Sequence, residues 1–229
     1  MTQEISFKDF IASAIHDMKN SLMMQTTLLE EIAAKCKDNG PPGVETDLAS
    51  AVFEAKRMNS DLIQLLGVYK FDEDIYPLDI DENGVADVIE EAVAQNRSSL
   101  DRKGLSITVD CAPDLLWYLD RDLVSGILLN ALNNAYNYTK DQILITANVV
   151  DGQLMLRVED NGRGYPERML KENGVDADKS ISFTSGSTGL GFHFASRAAM
   201  LHTNGAKKGS LYIENGGTLG GGCFVVRLP

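Results

Sequence analysis

Five stretches of this 229-residue chain combine residue types and spacings suited to handling a polar ligand. The first is Val158-Glu159-Asp160-Asn161-Gly162-Arg163-Gly164. Before it, Leu154, Leu156 and Val158 alternate as the apolar positions of a half-buried strand do. A strand ending there sets the Asp160 carboxylate at its tip. Gly162 and Gly164 then let the backbone approach a flat ligand that any Cβ would block. Alone, such a run reads first as a hairpin turn, and its companions change that reading. Upstream, Leu128-Leu129-Asn130-Ala131-Leu132-Asn133-Asn134-Ala135 reads as a helix on which Asn130 and Asn134, four apart, share a face. Downstream, Gly186-Ser187-Thr188-Gly189-Leu190-Gly191 runs into an apolar helix, whose free N–H groups and positive dipole end suit an anion. The run Gly216 to Gly222 precedes a strand, Cys223 to Leu228. Near the other terminus His16 has Asp17 beside it and Asn20 one turn further on the same face. A neutral imidazole has a ring nitrogen that can act as a nucleophile.

The elements that must position these groups follow from periodicity. Residues 5–37 predict one long helix, with Ile11, Ile15, Met18, Leu22, Gln25, Leu29, Ile32 and Cys36 at alternating steps of four and three, Gln25 being the one polar member. His16 comes straight after a seam position and so belongs on the flank. Residues 37–46 are rich in breakers and predict a turn, with Thr46 as N-cap of the next helix. In that helix Ala51, Ala55, Met58, Leu62, Leu65 and Tyr69 repeat the seam. Two antiparallel helices cannot bury both faces alone, whereas two such hairpins can as a four-helix bundle, so a homodimer is expected. After a linker at 71–74, Ile75 to Ile80 reads as a first edge strand, the place where Pro77 is tolerated. Val85, Val88, Ile89, Ala92 and Val93 mark a helix. Strands are expected at 105–111, 115–119, 143–150 and 154–160, with the asparagine helix running from Asp120 to about Tyr138. Residues 163–187 are polar and aperiodic, as a lid is. A helix from Thr188 to Leu201 and two last strands complete helices packed on a mixed sheet.

Composition narrows the function. The chain is 44% hydrophobic and 24% charged, ordinary for a globular protein. Its net charge of −12 disfavours nucleic acid and anionic membrane surfaces as partners. No run approaches the roughly 20 apolar residues of a membrane helix, and residues 1–5 carry no basic-then-apolar export pattern. Cys36, Cys111 and Cys223 are widely spaced without a metal-ligand pattern, and read as free thiols in or near the core.

In order, the asparagine helix and the three glycine-rich runs resemble the N, G1, G2 and G3 boxes of the ATP-binding domain of sensor histidine kinases. The wider superfamily includes gyrase-type, chaperone and mismatch-repair ATPases. His16-Asp17-Met18-Lys19-Asn20-Ser21-Leu22 resembles the kinases' H-box. The resemblance covers nearly the whole chain. It implies an α+β protein: a dimerisation and histidine-phosphotransfer hairpin at 1–72, forming a four-helix bundle in a dimer, then a GHKL (Bergerat) α/β sandwich at 73–229. It also implies transfer of the ATP γ-phosphoryl group to His16, with Asp17 bonding the other ring nitrogen and Asn20 serving dephosphorylation. Asp160 would accept from the adenine amino group between Gly162 and Gly164. Asn130, as the first N-box asparagine, and Asn134 would bind the nucleotide, Asn134 holding Mg2+, and Thr188, Gly189, Leu190 and Gly191 would cradle the triphosphate. Phosphate would pass to the receiver domain of a response regulator. Most such kinases span a membrane. This sequence shows neither that span nor a sensor domain, so a cytoplasmic protein with input from a separate sensor or regulatory protein is expected.

Three positions depart from the family pattern. Ser21 stands where proline is usual, Ser187 where the G2 box has its first glycine, and Asn137 where a lysine often contacts phosphate. Any of Arg163, Lys171 and Lys179 could supply the missing charge. A phosphotransfer adaptor that keeps the two-domain shape without kinase activity is the rival reading. A serine kinase of the anti-sigma type is a second, though it would need neither His16 nor the second seam helix.

Overall fold

A computed structural model describes residues 7–36, 43–171 and 189–229. The chain divides into two units, Met1–Tyr76 and Pro77–Pro229.

The first unit is a helical hairpin of α1 (Phe7–Cys36) and α2 (Val44–Asp72). The seam residues Ile15 and Ala55 are buried, joined by Val68 and Phe71 near the end of α2. Lys56 of α2 pairs with Glu30 of α1 at 2.6 Å. Two helices bury only one stripe, so other seam residues stay open: Met18, Ile32, Met58 and Leu65 are exposed, as are Met23, Met24 and Leu28 beside them. The expected N-cap is corrected. The cap position is Gly43, at φ 92°, and Thr46 lies within the helix that begins at Val44. A glycine in the left-handed region reverses the chain without a Cβ penalty, so the helix starts before the threonine is reached.

The second unit begins with β1 (Asp81–Gly84), α3 (Val85–Arg102), β2 (Ser106–Cys111), β3 (Leu116–Leu119) and α4 (Arg121–Tyr138). It continues through β4 (Gln142–Val150), β5 (Gln153–Asp160), α5 (Glu167–Lys171) and α6 (Leu190–Leu201). A small ribbon of β6 (Thr203–Asn204) and β7 (Lys207–Lys208) precedes β8 (Ser210–Asn215) and β9 (Gly222–Leu228). The main sheet has the order β2-β4-β5-β9-β8, parallel between β2 and β4 and antiparallel elsewhere. Register builds continuous buried rows across it, Ile145–Val158–Phe224–Ile213 and Ala147–Leu156–Val226–Leu211. Each follows from the period of two, which gives one face of every strand to the core. Onto the core pack the apolar stripes of α3 (Val88, Ile89, Ala92), α4 (Val124, Ile127, Leu128, Ala131) and α6 (Phe194, Ala195, Ala198). The central helix α4 lies between α3 and α6.

The expected edge strand at 75–80 is a second correction. Those residues carry no regular structure, and the strand is Asp81–Gly84, paired antiparallel with β3. Pro77 has no N–H to give a ladder, and the Asp79 N–H goes instead to Asp120 Oδ2 at 3.0 Å. Asp120 also caps α4, its Oδ1 accepting from the Leu123 N–H at 2.9 Å. Its own N–H donates to Nε2 of the buried His202 at 3.0 Å, while His202 Nδ1–H donates to the Ala198 carbonyl at 2.9 Å. One carboxylate and one imidazole thus join the start of α4 to the end of α6. No helix among the described residues is long and apolar enough to cross a membrane.

Candidate functional site

Asp160 closes β5, where the sheet's alternation leaves it only 8% exposed. Its Oδ1 accepts from the Gly162 N–H at 2.7 Å and its carbonyl from the Gly221 N–H at 3.0 Å. The run 216–222 therefore folds back onto the tip of β5. Gly162 must lack a side chain, because a Cβ would lie 2.1 Å from the Tyr138 carbonyl oxygen at the end of α4. Gly164, at φ 73°, would meet Asn215 Oδ1 at 2.6 Å. Asn215 holds this loop from β8: Oδ1 accepts from the Tyr165 N–H at 2.6 Å, and Nδ2 donates to the Tyr165 carbonyl at 2.8 Å. Beneath the site Glu159, 3% exposed, accepts from the Thr218 N–H at 2.7 Å and from Arg157 Nε at 3.1 Å.

Burial raises the Tyr165 phenol well above the ordinary tyrosine range, and the Asp160 carboxylate adds to the shift. Tyr165 therefore stays protonated beside Asp160. Burial likewise pushes the Cys223 thiol up to about 11, with Glu159 contributing, so it remains a neutral thiol. Cys36, Cys111 and Cys223 are all free.

On α4, Asn134 Nδ2 donates to Asn130 Oδ1 at 3.0 Å, which leaves the Asn134 oxygen for another partner. Asn130 is 5% exposed, and its Nδ2 is buried without a hydrogen-bond partner among the described residues. An orphaned donor of this kind calls for an acceptor oxygen. It faces the start of α6, where a Cβ on Gly191 would lie 2.1 Å away. Gly189, at φ 63°, takes the N-cap position of α6 and Leu190 opens the helix. Among the described residues no side chain caps it, so its first N–H groups suit an anion. Among the described residues no three His, Cys, Asp or Glu side chains cluster as metal ligands. A divalent cation here would lean on a carboxamide oxygen, water and ligand oxygens, a set that magnesium accepts.

Of the expected lid cations, the Arg163 guanidinium sits 5.3 Å from the centre of the Tyr138 ring, and Lys171 pairs with Glu167 at 3.6 Å. Lys179, Gly186, Ser187 and Thr188 lie outside the described residues. Asn137 turns back on its own helix, Nδ2 donating to the Asn133 carbonyl at 2.9 Å.

In the hairpin unit His16 is exposed on α1. Asn20 Nδ2 lies 3.2 Å from its Nδ1, and the nearest Asp17 oxygen 4.0 Å from the same nitrogen. Asn20 is thus at hydrogen-bond distance, whereas Asp17 is at ion-pair distance. Turning the Asn20 carboxamide over brings Oδ1 to that place, where it accepts from Nδ1–H and leaves the Nε2 lone pair free. His193 lies in α6 and His202 at its C-terminal cap.

The sequence reading missed Asn161, Asn215, Glu159 and the Asp120–His202 pair. Each acts on a partner far off in sequence, and no local pattern announces that.

Comparison with known proteins gives this site its relatives. Residues 119–229 match the family described as histidine kinase-, DNA gyrase B-, and HSP90-like ATPase. The sensor protein SrrB of Staphylococcus aureus is 26% identical over 230 residues, covering 97% of this chain and 38% of that protein. The chain thus spans about two fifths of the length of the curated relatives it matches. Among solved structures, the Acinetobacter baumannii histidine kinase AdeS aligns with a TM-score of 0.59 and 20% identity, over 88% of this chain and 93% of that one. Full-length ShkA in complex with AMPPNP aligns with a TM-score of 0.64 and 19% identity, over 96% of this chain and 45% of that one. At such identities the two structures speak for the fold, a helical hairpin followed by an α/β sheet domain. Residues 119–229 are therefore a domain of the histidine kinase-, DNA gyrase B- and HSP90-like ATPase family, carried by a chain homologous to sensor histidine kinases.

Proposed function

We propose that this chain is an ATP-dependent, autophosphorylating protein-histidine kinase of a two-component system. The observation that carries the reading is His16: an exposed imidazole with a carboxamide at 3.2 Å, on a helical hairpin joined to an ATPase-family domain. On this reading residues 1–72 are the dimerisation and phosphotransfer part, and residues 73–229 the ATP-binding part. The protein works in the cytoplasm.

In the ATP-binding part, Asp160 accepts from the adenine amino group, with Gly162 and Gly164 forming a flat wall. The orphaned Asn130 Nδ2 and the uncapped N–H groups of Gly189, Leu190 and Gly191 meet phosphate oxygens, and Thr188 joins them. Asn134 holds Mg2+, which when bound draws charge from the phosphates. Nε2 of His16 attacks the γ-phosphorus, forming a P–N bond as the bond to the bridging oxygen breaks and ADP leaves with that electron pair. Asp17 takes the Nδ1 proton.

The phosphoryl group then passes to an aspartate on the receiver domain of a response regulator, which docks beside His16. The exposed Met18, Met24, Met58 and Leu65 support a homodimer, since apolar side chains in such number on one hairpin favour a second copy. Input comes from a separate sensor or regulatory protein.

The test is incubation with labelled ATP and Mg2+. The expected product is label lost in acid and stable in base, absent from His16→Gln. Label persisting in that variant overturns the assignment of His16. No label from ATP, with uptake from a phosphorylated regulator, turns the reading to the adaptor. Acid-stable label turns it to a serine kinase.

A further inference from the structure

Asn161 takes no part in the mechanism above, yet both ends of its half-buried carboxamide are hydrogen-bonded. Oδ1 lies 2.9 Å from Thr139 Oγ1 and accepts from the N–H groups of Lys140, Asp141 and Gln142 at 3.2, 3.1 and 3.1 Å. Three successive N–H groups converging on one oxygen form the kind of nest that takes an anion. Here a side-chain oxygen fills it. The Thr139 hydroxyl also lies 2.9 Å from the Gln142 carbonyl, so its single proton serves one of two acceptors. Asn161 Nδ2 donates to Asp141 Oδ1 at 2.7 Å, and the Asn161 N–H to the Gln142 carbonyl at 3.3 Å.

The turn gripped in this way links α4 to β4, and Thr139 is the C-cap of α4. On its other side Asn161 stands between Asp160 and Gly162, and Gly162 passes directly against the last carbonyl of α4. Asn161 therefore joins the loop carrying Asp160 to the turn that ends the helix carrying Asn130 and Asn134, beside the looser contact of Arg163 with the Tyr138 ring.

We propose that Asn161 is a positioning residue that latches the Asp160–Gly164 loop to the end of the asparagine helix, holding the adenine acceptor and the phosphate-facing carboxamides at one fixed separation. The inference rests on the nucleotide reading of Asp160. Without the latch, Asp160 keeps its bond to the Gly162 N–H, but the two halves of the site drift apart. That weakens binding of ATP in ground state and transition state alike, so KM rises while kcat at saturation holds.

The chemistry supplies its own rescue. An aspartate at 161 fills the nest, but sets a carboxylate against Asp141. Exchanging the pair, Asn161→Asp with Asp141→Asn, restores donor and acceptor with their direction reversed. The experiment measures ATP affinity by calorimetry, KM and kcat of autophosphorylation, and amide exchange at Lys140, Asp141 and Gln142 in the nucleotide-free chain. Asn161→Ala is expected to raise Kd and KM for ATP about tenfold or more, to leave kcat within about twofold, and to speed exchange at the three amides. Asn161→Asp alone falls between. The exchanged pair returns to within about threefold of wild type. A general loss of structure would lower kcat as well and would not be rescued by the exchange. Asn161→Ala with wild-type affinity, or an exchanged pair as weak as Asn161→Ala, overturns the inference alone. Wild-type protein that binds no ATP overturns the nucleotide reading and this inference with it. Where Asn161→Ala fails to fold, the contrast between Asn161→Asp and the exchanged pair decides.

Discussion

Gly191 and Asn130 are packed so closely that a Cβ on Gly191 would stand 2.1 Å from Asn130 Nδ2 and 2.8 Å from its Cγ. The glycine at the start of α6 is thus fixed less by its own backbone than by a carboxamide on α4. The same contact brings the orphaned Nδ2 beside the uncapped N–H groups of α6. Gly191→Ala is predicted to push Asn130 aside, break its 3.0 Å bond with Asn134, and lower ATP affinity about tenfold or more. Overpacking of this kind costs about 1–3 kcal/mol of stability. Calorimetry and urea unfolding check the two halves separately. Unchanged values in both would mean that α6 shifts freely.

Asp160→Asn tests the proposed adenine contact. The substitution keeps an oxygen for the Gly162 N–H, which Oδ1 now binds at 2.7 Å, but turns the second acceptor into a donor. A buried mismatched polar pair costs about 1–3 kcal/mol, a tenfold to roughly hundredfold loss of ATP affinity. Equal binding of ATP by wild type and variant would remove Asp160 from the adenine site.

His202 makes the second unit sensitive to acid. Burial holds its folded-state pKa below the ordinary 6.5, although the Ala198 carbonyl and the Asp120 carboxylate pull the other way. As pH falls through 6.5 the unfolded chain takes up a proton that the folded chain refuses. The stabilisation is therefore complete above that pH and lost below it, by at most about 1.4 kcal/mol per pH unit. His202→Gln keeps an acceptor for the Asp120 N–H but cannot titrate. Urea midpoints measured between pH 7.5 and 5.5 should fall more steeply in wild type than in the variant. Parallel slopes would show that His202 is not the group responsible.

How much of this was legible in the sequence depended on whether the signal was local. Asp160 stood out because Leu154, Leu156 and Val158 carry a strand's alternation up to it, and α4 because an apolar helical stripe follows Asp120. β1 was placed too early because Asp81-Glu82-Asn83-Gly84 has no apolar residue. Its strand character comes from pairing with β3, at registers such as Asp81 with Leu119. Thr46 is a good capping residue in the abstract, but Gly43 had already turned the chain. Asn161 carries no local signal, because its partners at 139–142 lie about twenty residues earlier and the pairing of β4 with β5 brings them together.

We propose that Asn20 separates two activities at His16, autophosphorylation and dephosphorylation of the regulator. It lies one turn along the same face, so a receiver domain docked there would meet both side chains. A carboxamide has a donor and an acceptor with which to position water in line with an aspartyl phosphate. In the free chain that carboxamide rests 3.2 Å from His16 Nδ1, while the nearest Asp17 oxygen is 4.0 Å from the same nitrogen. On the proposed mechanism, removing Asn20 would leave Asp17 to close on Nδ1 and take its proton. Asn20→Ala is predicted to keep autophosphorylation and to slow dephosphorylation of the regulator by about tenfold, the scale of one lost positioning contact. Labelled ATP reports the first activity, and decay of purified phosphorylated regulator in the presence of the kinase reports the second. Loss of autophosphorylation alone would make Asn20, not Asp17, the residue that sets the His16 tautomer. Equal loss of both would mean that Asn20 acts through the structure of α1, and no change in either that it only borders the site.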